Sequence, residues 1–336
     1  MELNTITLSD FTKLAAVIWL KAKDSTPKVM RMSGIFQIVP IPSNSGESRD
    51  FDEIDNNEYA SEKGQSDQAA RASVTQGYNK TMKVKRVAQD IGISYEMRKF
   101  NKYPEVVSRL SGLGESTDKR MDLDMSHRIT FATATYYTNM DGRTVATTTG
   151  DGFQLAYSAH RVSADNAKTY RNILANNPQL SDGSLEAMER LCVENTINNI
   201  GEKMTMPFDI LFTTDDPTQV NMAKKILKST AAIDGLNNGV INVNGSKYRH
   251  IILPRVATDK DGAVDTDKTK YWGLVSSSYS SAYLGIWEEA HLKTPSNLNA
   301  GEEFSTDDWN YGVRAGYGIE IVSGQWMKFS LGDGTA

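Results

Sequence analysis

The stretch from Ser43 to Asn79 most constrains what this chain can fold into. Between Glu47 and Arg71 it carries Glu47, Asp50, Asp52, Glu53, Asp55, Glu58, Glu62 and Asp67 against Arg49, Lys63 and Arg71. Its apolar residues are few and scattered: Phe51, Ile54, Tyr59, Val74 and Tyr78. Burial of apolar surface drives folding, and so polar a segment has little to bury. Loops this long are uncommon inside compact domains, and are then functional or disordered. The segment therefore needs support from outside itself.

Its flanks are regular. Ile35 to Ile41 is an apolar run interrupted by Gln37 and Pro40 and followed by Pro42, as at the edge of a sheet. Downstream, Met82, Val84 and Val87 are interleaved with Lys83, Lys85 and Arg86. Ile91, Ile93, Tyr95 and Met97 then alternate with Gly92, Ser94 and Glu96. Period two means a strand with one face buried. The pattern predicts one long hairpin with Ile35–Ile41 and Met82–Met97 as its legs. The acidic stretch would be its tip, a protruding arm.

The rest of the chain has material for a core. It has 336 residues, 39% hydrophobic and 24% charged, enough for one large core or two medium ones. Its formal net charge is -5, and no basic stripe of the kind that grips nucleic acid stands out. The one cysteine, Cys192, lies in an apolar helical pattern and reads as a buried thiol made in a reducing cytoplasm. The best apolar run, Leu14 to Leu20, is far short of the ~20 residues a membrane span needs.

Helical spacing marks several segments. Thr7 or Ser9 caps a first helix with Phe11, Leu14, Ala15 and Ile18 on one stripe. Pro104 opens a long helix carrying Val106, Val107 and Leu110, then Met121, Met125, Ile129 and Ala132. It is expected to end near Tyr136 or Tyr137, with a soft point at Gly112 and Gly114. Past Asp141 the pattern is mixed. Helices are expected over Ala164–Asn176, around Leu185–Cys192 up to Gly201, and after Asp216-Pro217. Strands are expected at Phe208–Thr213, Tyr248–Val256, Tyr271–Val275 and Ala282–Trp287. The end is β-like: Trp309, Tyr311 and Val313, then Tyr317, Ile319 and Ile321, then Met327, Phe329 and Leu331. Ser323-Gly324 is read as a tight hairpin turn.

Catalytic signatures are missing. Gly150-Asp151-Gly152 lacks the lysine of a phosphate cradle, and no Gly-x-Ser-x-Gly elbow occurs. His127, His160, His250 and His291 are far apart without metal spacing. Asp259, Asp261 and Asp265 lack the ligand order of a calcium loop. Nothing spaces the Glu47–Glu62 acids as a hydrolytic carboxylate pair. The chain is read as a non-enzyme with no cofactor or metal.

The order of elements resembles the major capsid proteins of tailed bacteriophages, the Hong Kong 97-like fold family. Three pieces carry the resemblance: the polar loop with strand legs followed by Ile91–Met97; the Gly150-Asp151-Gly152-Phe153 turn; and the Trp309–Arg314 strand, with Arg314, beside Tyr317–Ile321. The resemblance covers essentially the whole chain and implies an α+β fold in four parts. These are an N-terminal arm (1–34), an extended loop (35–88), and a peripheral domain (89–142 and 293–336) with a spine helix over 102–137. An axial domain (143–292) completes it.

The resemblance implies a head protein that self-assembles into hexamers and pentamers of an icosahedral virion shell around double-stranded DNA, touched non-specifically. It implies synthesis in the host cytoplasm and no membrane contact. Expected partners are a portal protein, a separate scaffolding protein, favoured by Met1 at the start, and decoration or cement proteins. The extended loop of such proteins lies across a neighbouring subunit. Asp50, Asp52, Glu53, Asp55 and Glu58 would then face basic residues of an adjoining copy, from the cluster Lys83, Lys85, Arg86, Arg98, Lys99 and Lys102. Some members weld subunits through Lys–Asn bonds, for which Lys63 is the natural lysine. The alternatives are an encapsulin-like nanocompartment shell and an α/β enzyme with a site assembled from distant residues.

Overall fold

The computed structural model describes residues 6–42, 46–55, 59–60, 62–69, 71, 75–229, 241–295 and 307–334. Two four-stranded sheets organise it. In the first, β1 (Gln37–Pro40), β12 (Ala282–Lys293), β13 (Trp309–Ile321) and β4 (Lys85–Ile93) lie in that order. β1 runs parallel to β12; the other pairs are antiparallel. In the second, β10 (Arg249–Ile252), β9 (Ile210–Thr213), β11 (Trp272–Val275) and β14 (Met327–Ser330) follow one another, with β10 parallel to β9. A separate two-stranded ribbon joins β2 (Ser48–Asp55) to β3 (Thr75–Lys83). Short ribbons pair β5 (Tyr136–Thr138) with β6 (Thr144–Ala146) and β7 (His160–Arg161) with β8 (Thr169–Tyr170). A one-turn helix, α2 (Val29–Met32), precedes β1.

The long helix α4 (Tyr103–Thr130) links the parts. At ~1.5 Å per residue its 28 residues reach about 42 Å. Its first half packs with α1 (Leu8–Ser25), α3 (Tyr95–Lys99), β4 and β13 around Phe11, Trp19, Val106, Leu110 and Tyr311. Its second half enters the core between the two sheets through Met121, Met125 and Ile129. A third cluster sits under α5 (Asp182–Glu194) and α6 (Pro217–Lys228) against β9 and β11. Gly114, read as a soft point, is a contact: a side-chain carbon there would lie 2.6 Å from the Trp19 carbonyl oxygen. The missing side chain lets α1 and α4 approach.

Several expectations are corrected. Ile35–Ile41 and Met82–Met97 do not pair with each other: β1 pairs with β12 and β4 with β13. The legs of the hairpin are β2 and β3, so Asp50 and Asp52 lie on a leg and not at a tip. Period two specifies a strand but not its neighbour. The alternation through Met97 breaks at Ser94, whose Oγ accepts the Met97 amide at 3.3 Å and caps α3. The spine helix ends at Thr130, short of Tyr137, and Tyr136–Thr138 form a short strand.

Ala164–Asn176 is not a helix. Asn166 Oδ1 accepts the Lys168 amide at 3.0 Å, and Ser163 Oγ accepts that of Asn166 at 3.1 Å. Such local bonds compete with a helix. Ser323-Gly324 does not close a hairpin, because β13 and β14 belong to different sheets. β12 belongs to the first sheet and β14 to the second.

Candidate functional site at the charged arm

The ribbon β2–β3 is where the acidic stretch becomes structure. Alternation along β2 turns Asp50 and Asp52 to solvent and Phe51 inward. Thr81 Oγ1 donates to Asp50 at 2.5 Å and the Asn79 amide donates to Asp52, so both carboxylates have cross-strand partners yet remain exposed. Glu53 is half-buried. Asp55 ends β2 opposite Thr75. Glu58 falls outside the described residues. Beyond the paired legs, every described residue of 59–71 is exposed, Lys63 and Asp67 included, with Tyr59 at 76%.

The root of the ribbon is not exposed. Phe51 stacks on Tyr283 of β12 with centroids 4.1 Å apart and planes 11° from parallel. Lys80 reaches Glu320 of β13 at 2.7 Å and donates to the Thr148 carbonyl. Burial lowers the Lys80 pKa, and the adjoining Glu320 opposes that shift. Met82 is fully buried.

The basic cluster divides in two. Lys83, Arg86, Lys99 and Lys102 are exposed, although Arg86 lies over the Trp287 ring and Lys102 is 3.6 Å from Glu105. Lys85 and Arg98 are committed within the chain. Lys85 Nζ lies 2.6 Å from Asp124. Arg98 donates to the Asp307 carbonyl and lies 4.2 Å above the Trp309 ring. A cleft of about 640 Å³ opens beside β4, lined by Lys85, Arg86, Lys119, Arg120, Arg143 and Arg255, with Asp141 as its carboxylate.

Sequence reasoning missed a second charged region, inside α4. Asp118, Asp122, Asp124, His127 and Arg128 are all buried. Asp118 meets Lys28 at 3.2 Å. Asp122 accepts the Met30 amide at 2.8 Å and pairs with Arg255 at 3.0 Å. Asp124 gathers Lys85, Arg120 and the Tyr317 hydroxyl. Burial alone would raise the Asp124 pKa; Lys85, Tyr317 and Arg120 hold it below the usual carboxylate range. Arg128 donates to the carbonyls of Ala146 and Ile319. Apart from Arg120, four residues before Asp124, its partners lie far away in sequence, so local spacing does not expose the network.

One cluster invites a catalytic reading. Thr149 and Asp151 line a cavity of about 340 Å³, with His160 buried behind Asp151. Thr149 Oγ1 donates to Asp151 at 2.5 Å, and Asp151 is 2.7 Å from His160 Nδ1. In a nucleophile relay the imidazole stands between hydroxyl and carboxylate. Here the carboxylate stands between them, and His160 Nε2 faces the Leu155 carbonyl at 3.1 Å. This arrangement ties a loop; it does not activate a hydroxyl. Among the described residues no group of three or more His, Cys, Asp or Glu is placed to hold a metal, and no helix is long and apolar enough to cross a membrane.

Comparison with known proteins places this architecture. No curated protein matches the chain. Among solved structures, the capsid of cyanophage P-SCSP1u superposes with a TM-score of 0.53 at 10% identity, covering 88% of this chain and 85% of that one. The virus-like particle from Pyrococcus furiosus gives 0.50 at 11% identity, covering 96% and 99%. A chain from Mycobacterium phage Cain gives 0.50 at 11%, covering 91% and 89%. At such identities the likeness is one of fold, the Hong Kong 97-like capsid fold. The family model described as phage capsid protein matches residues 78–327. The chain therefore belongs to the phage capsid protein family.

Proposed function

We propose that this chain is the major capsid protein of a tailed phage, and that its copies close into an icosahedral shell of hexamers and pentamers around double-stranded DNA. The observation that carries the assembly reading is the arm: Asp50 and Asp52 on its leg and every described residue of 59–71 are exposed, although its root is packed on the body. A segment with nothing of its own to bury gains order when a neighbour supplies the missing surface. The exposed acids Asp50 and Asp52 then face the exposed Lys83, Arg86, Lys99 and Lys102 of an adjoining copy. Charge complementarity of this kind steers and registers subunits more than it adds affinity.

In this reading residues 1–34 are the N-terminal arm, the ribbon within 35–88 is the extended loop, and α4 is the spine of the peripheral domain. The α5–α6 region within 143–292 is the axial domain. Portal, scaffolding and decoration proteins are the partners such a shell requires, and the host cytoplasm is where it is made.

The test reverses charge at the arm with Asp50→Lys, Asp52→Lys and Glu53→Lys together. The expected result is a folded subunit, by circular dichroism, that no longer forms closed particles under the electron microscope. Normal particles would refute the role of the arm. A cargo shell of the same fold is the other reading. The phage capsid family match favours a genome container. Purified particles that hold no DNA and have no portal-bearing vertex would favour the cargo shell.

A further inference from the structure

The root of the arm sits on the first sheet rung upon rung. Phe51 and Lys80 are directly opposite one another in the β2–β3 register. Tyr283 and Glu320 are directly opposite one another in the β12–β13 register. The first pair lies on the second: ring on ring at 4.1 Å, ammonium on carboxylate at 2.7 Å. Lys80 and Glu320 keep only 16% and 13% of their side-chain surface exposed.

Two residues along each strand the match repeats with different chemistry. Gly285 and Gly318 are opposite one another in the same β12–β13 register. Met82, two residues after Lys80, fills the notch they leave. A side-chain carbon at Gly318 would lie 2.8 Å from both the Lys83 carbonyl oxygen and Met82 Cγ, and one at Gly285 would collide with Met82 Cε and Ile41 Cδ1. The ribbon is thus held by an aromatic stack, an ion pair and a glycine notch arranged on two successive rungs. A single contact leaves a rigid body free to rotate about it; contacts on two rungs remove that freedom.

We infer that the rung Phe51–Lys80 seated on the rung Tyr283–Glu320, with Met82 in the Gly285–Gly318 notch, is an angular mount that sets the direction in which the arm leaves its own subunit, and so the curvature and diameter of the shell. The inference rests on the assembly reading above. Lys80 is a positioning residue here: it need not touch a neighbouring copy. The arm carries its contacts outward from a fixed base, so a small tilt at the root becomes a larger displacement at the outer residues. Shell geometry then depends on a pair of groups buried inside each subunit.

The experiment compares wild type with Lys80→Met and with Phe51→Ala. Phe51 is only half-buried, so its truncation spares the body even if the lysine variant folds poorly. Particle diameters are measured by electron microscopy. In parallel, dyes on cysteines placed at Lys63 and Arg190, both exposed, report arm-to-body distance in unassembled subunits. The expected result is a broadened or shifted diameter distribution and a broadened dye distance in both single variants. Wild-type diameters and dye distances in both single variants would overturn the mount. A wild-type chain that never closes into particles defeats the assembly reading instead, while the dye distances still decide whether the mount exists.

Discussion

The arm and the second half of α4 are both rich in acidic residues, and the fold uses them in opposite ways. On β2, Asp50 and Asp52 stand in solvent with short cross-strand bonds. On α4, Asp118, Asp122 and Asp124 are buried against cations from distant parts of the chain. An exposed ion pair contributes about 0–1 kcal/mol. A buried one contributes little net, but removing one partner strands a charge and costs about 3–5 kcal/mol. One acidic region is thus committed to holding this subunit together, and the other is left available to another.

Four measurements would break or sharpen that contrast. Asp124→Ala leaves Lys85 and Arg120 without their shared carboxylate, and is expected to lower subunit stability by about 3–5 kcal/mol in denaturant unfolding. A loss as small as that of an arm variant would erase the distinction. His127 comes next. Burial in α4 lowers its pKa from 6.5 to about 4. The unfolded chain takes up this proton first, so the histidine's stabilising contribution is complete above pH 6.5. It is lost as pH falls from 6.5 towards 4, by about 3 kcal/mol. Melting temperature followed across that window should slope in wild type and flatten in His127→Gln.

Gly114→Ala would push a methyl group against the Trp19 carbonyl and Ala22, at about 1–3 kcal/mol. Urea unfolding should show the loss, and crystal structures of the variant should show α1 displaced from α4. The smallest effect is expected on the arm. Asp50→Lys with Asp52→Lys should change subunit stability by about 0.5 kcal/mol or less, read from the same urea curves. A loss above ~2 kcal/mol would mean that these acids also hold the subunit together.

The candidate site was half legible beforehand. That a polar, acidic segment between strand-like flanks must project was readable, because no arrangement of Glu47 to Asp67 buries much apolar surface. How the segment is rooted was not. In the sequence Phe51 is one scattered aromatic, Lys80 one lysine among many, and Gly285 and Gly318 carry no local signal. Their meaning comes from two registers that superpose only once β2–β3 lies on β12–β13. Of the basic cluster, nothing near Lys85 or Arg98 announced that Asp124 and Trp309 would claim them.

By itself the amino-acid order determined what local physics can reach: the helical period of α4 through Met121, Met125 and Ile129, the alternation of β13, the Asp216-Pro217 start of α6, and the polarity of the arm. Only the tertiary structure decided which strands are neighbours, which charges are buried, and where the arm is held. Those outcomes depend on contacts between residues far apart in the chain. A period of two or 3.6 says which face turns inward, and is silent about what waits there.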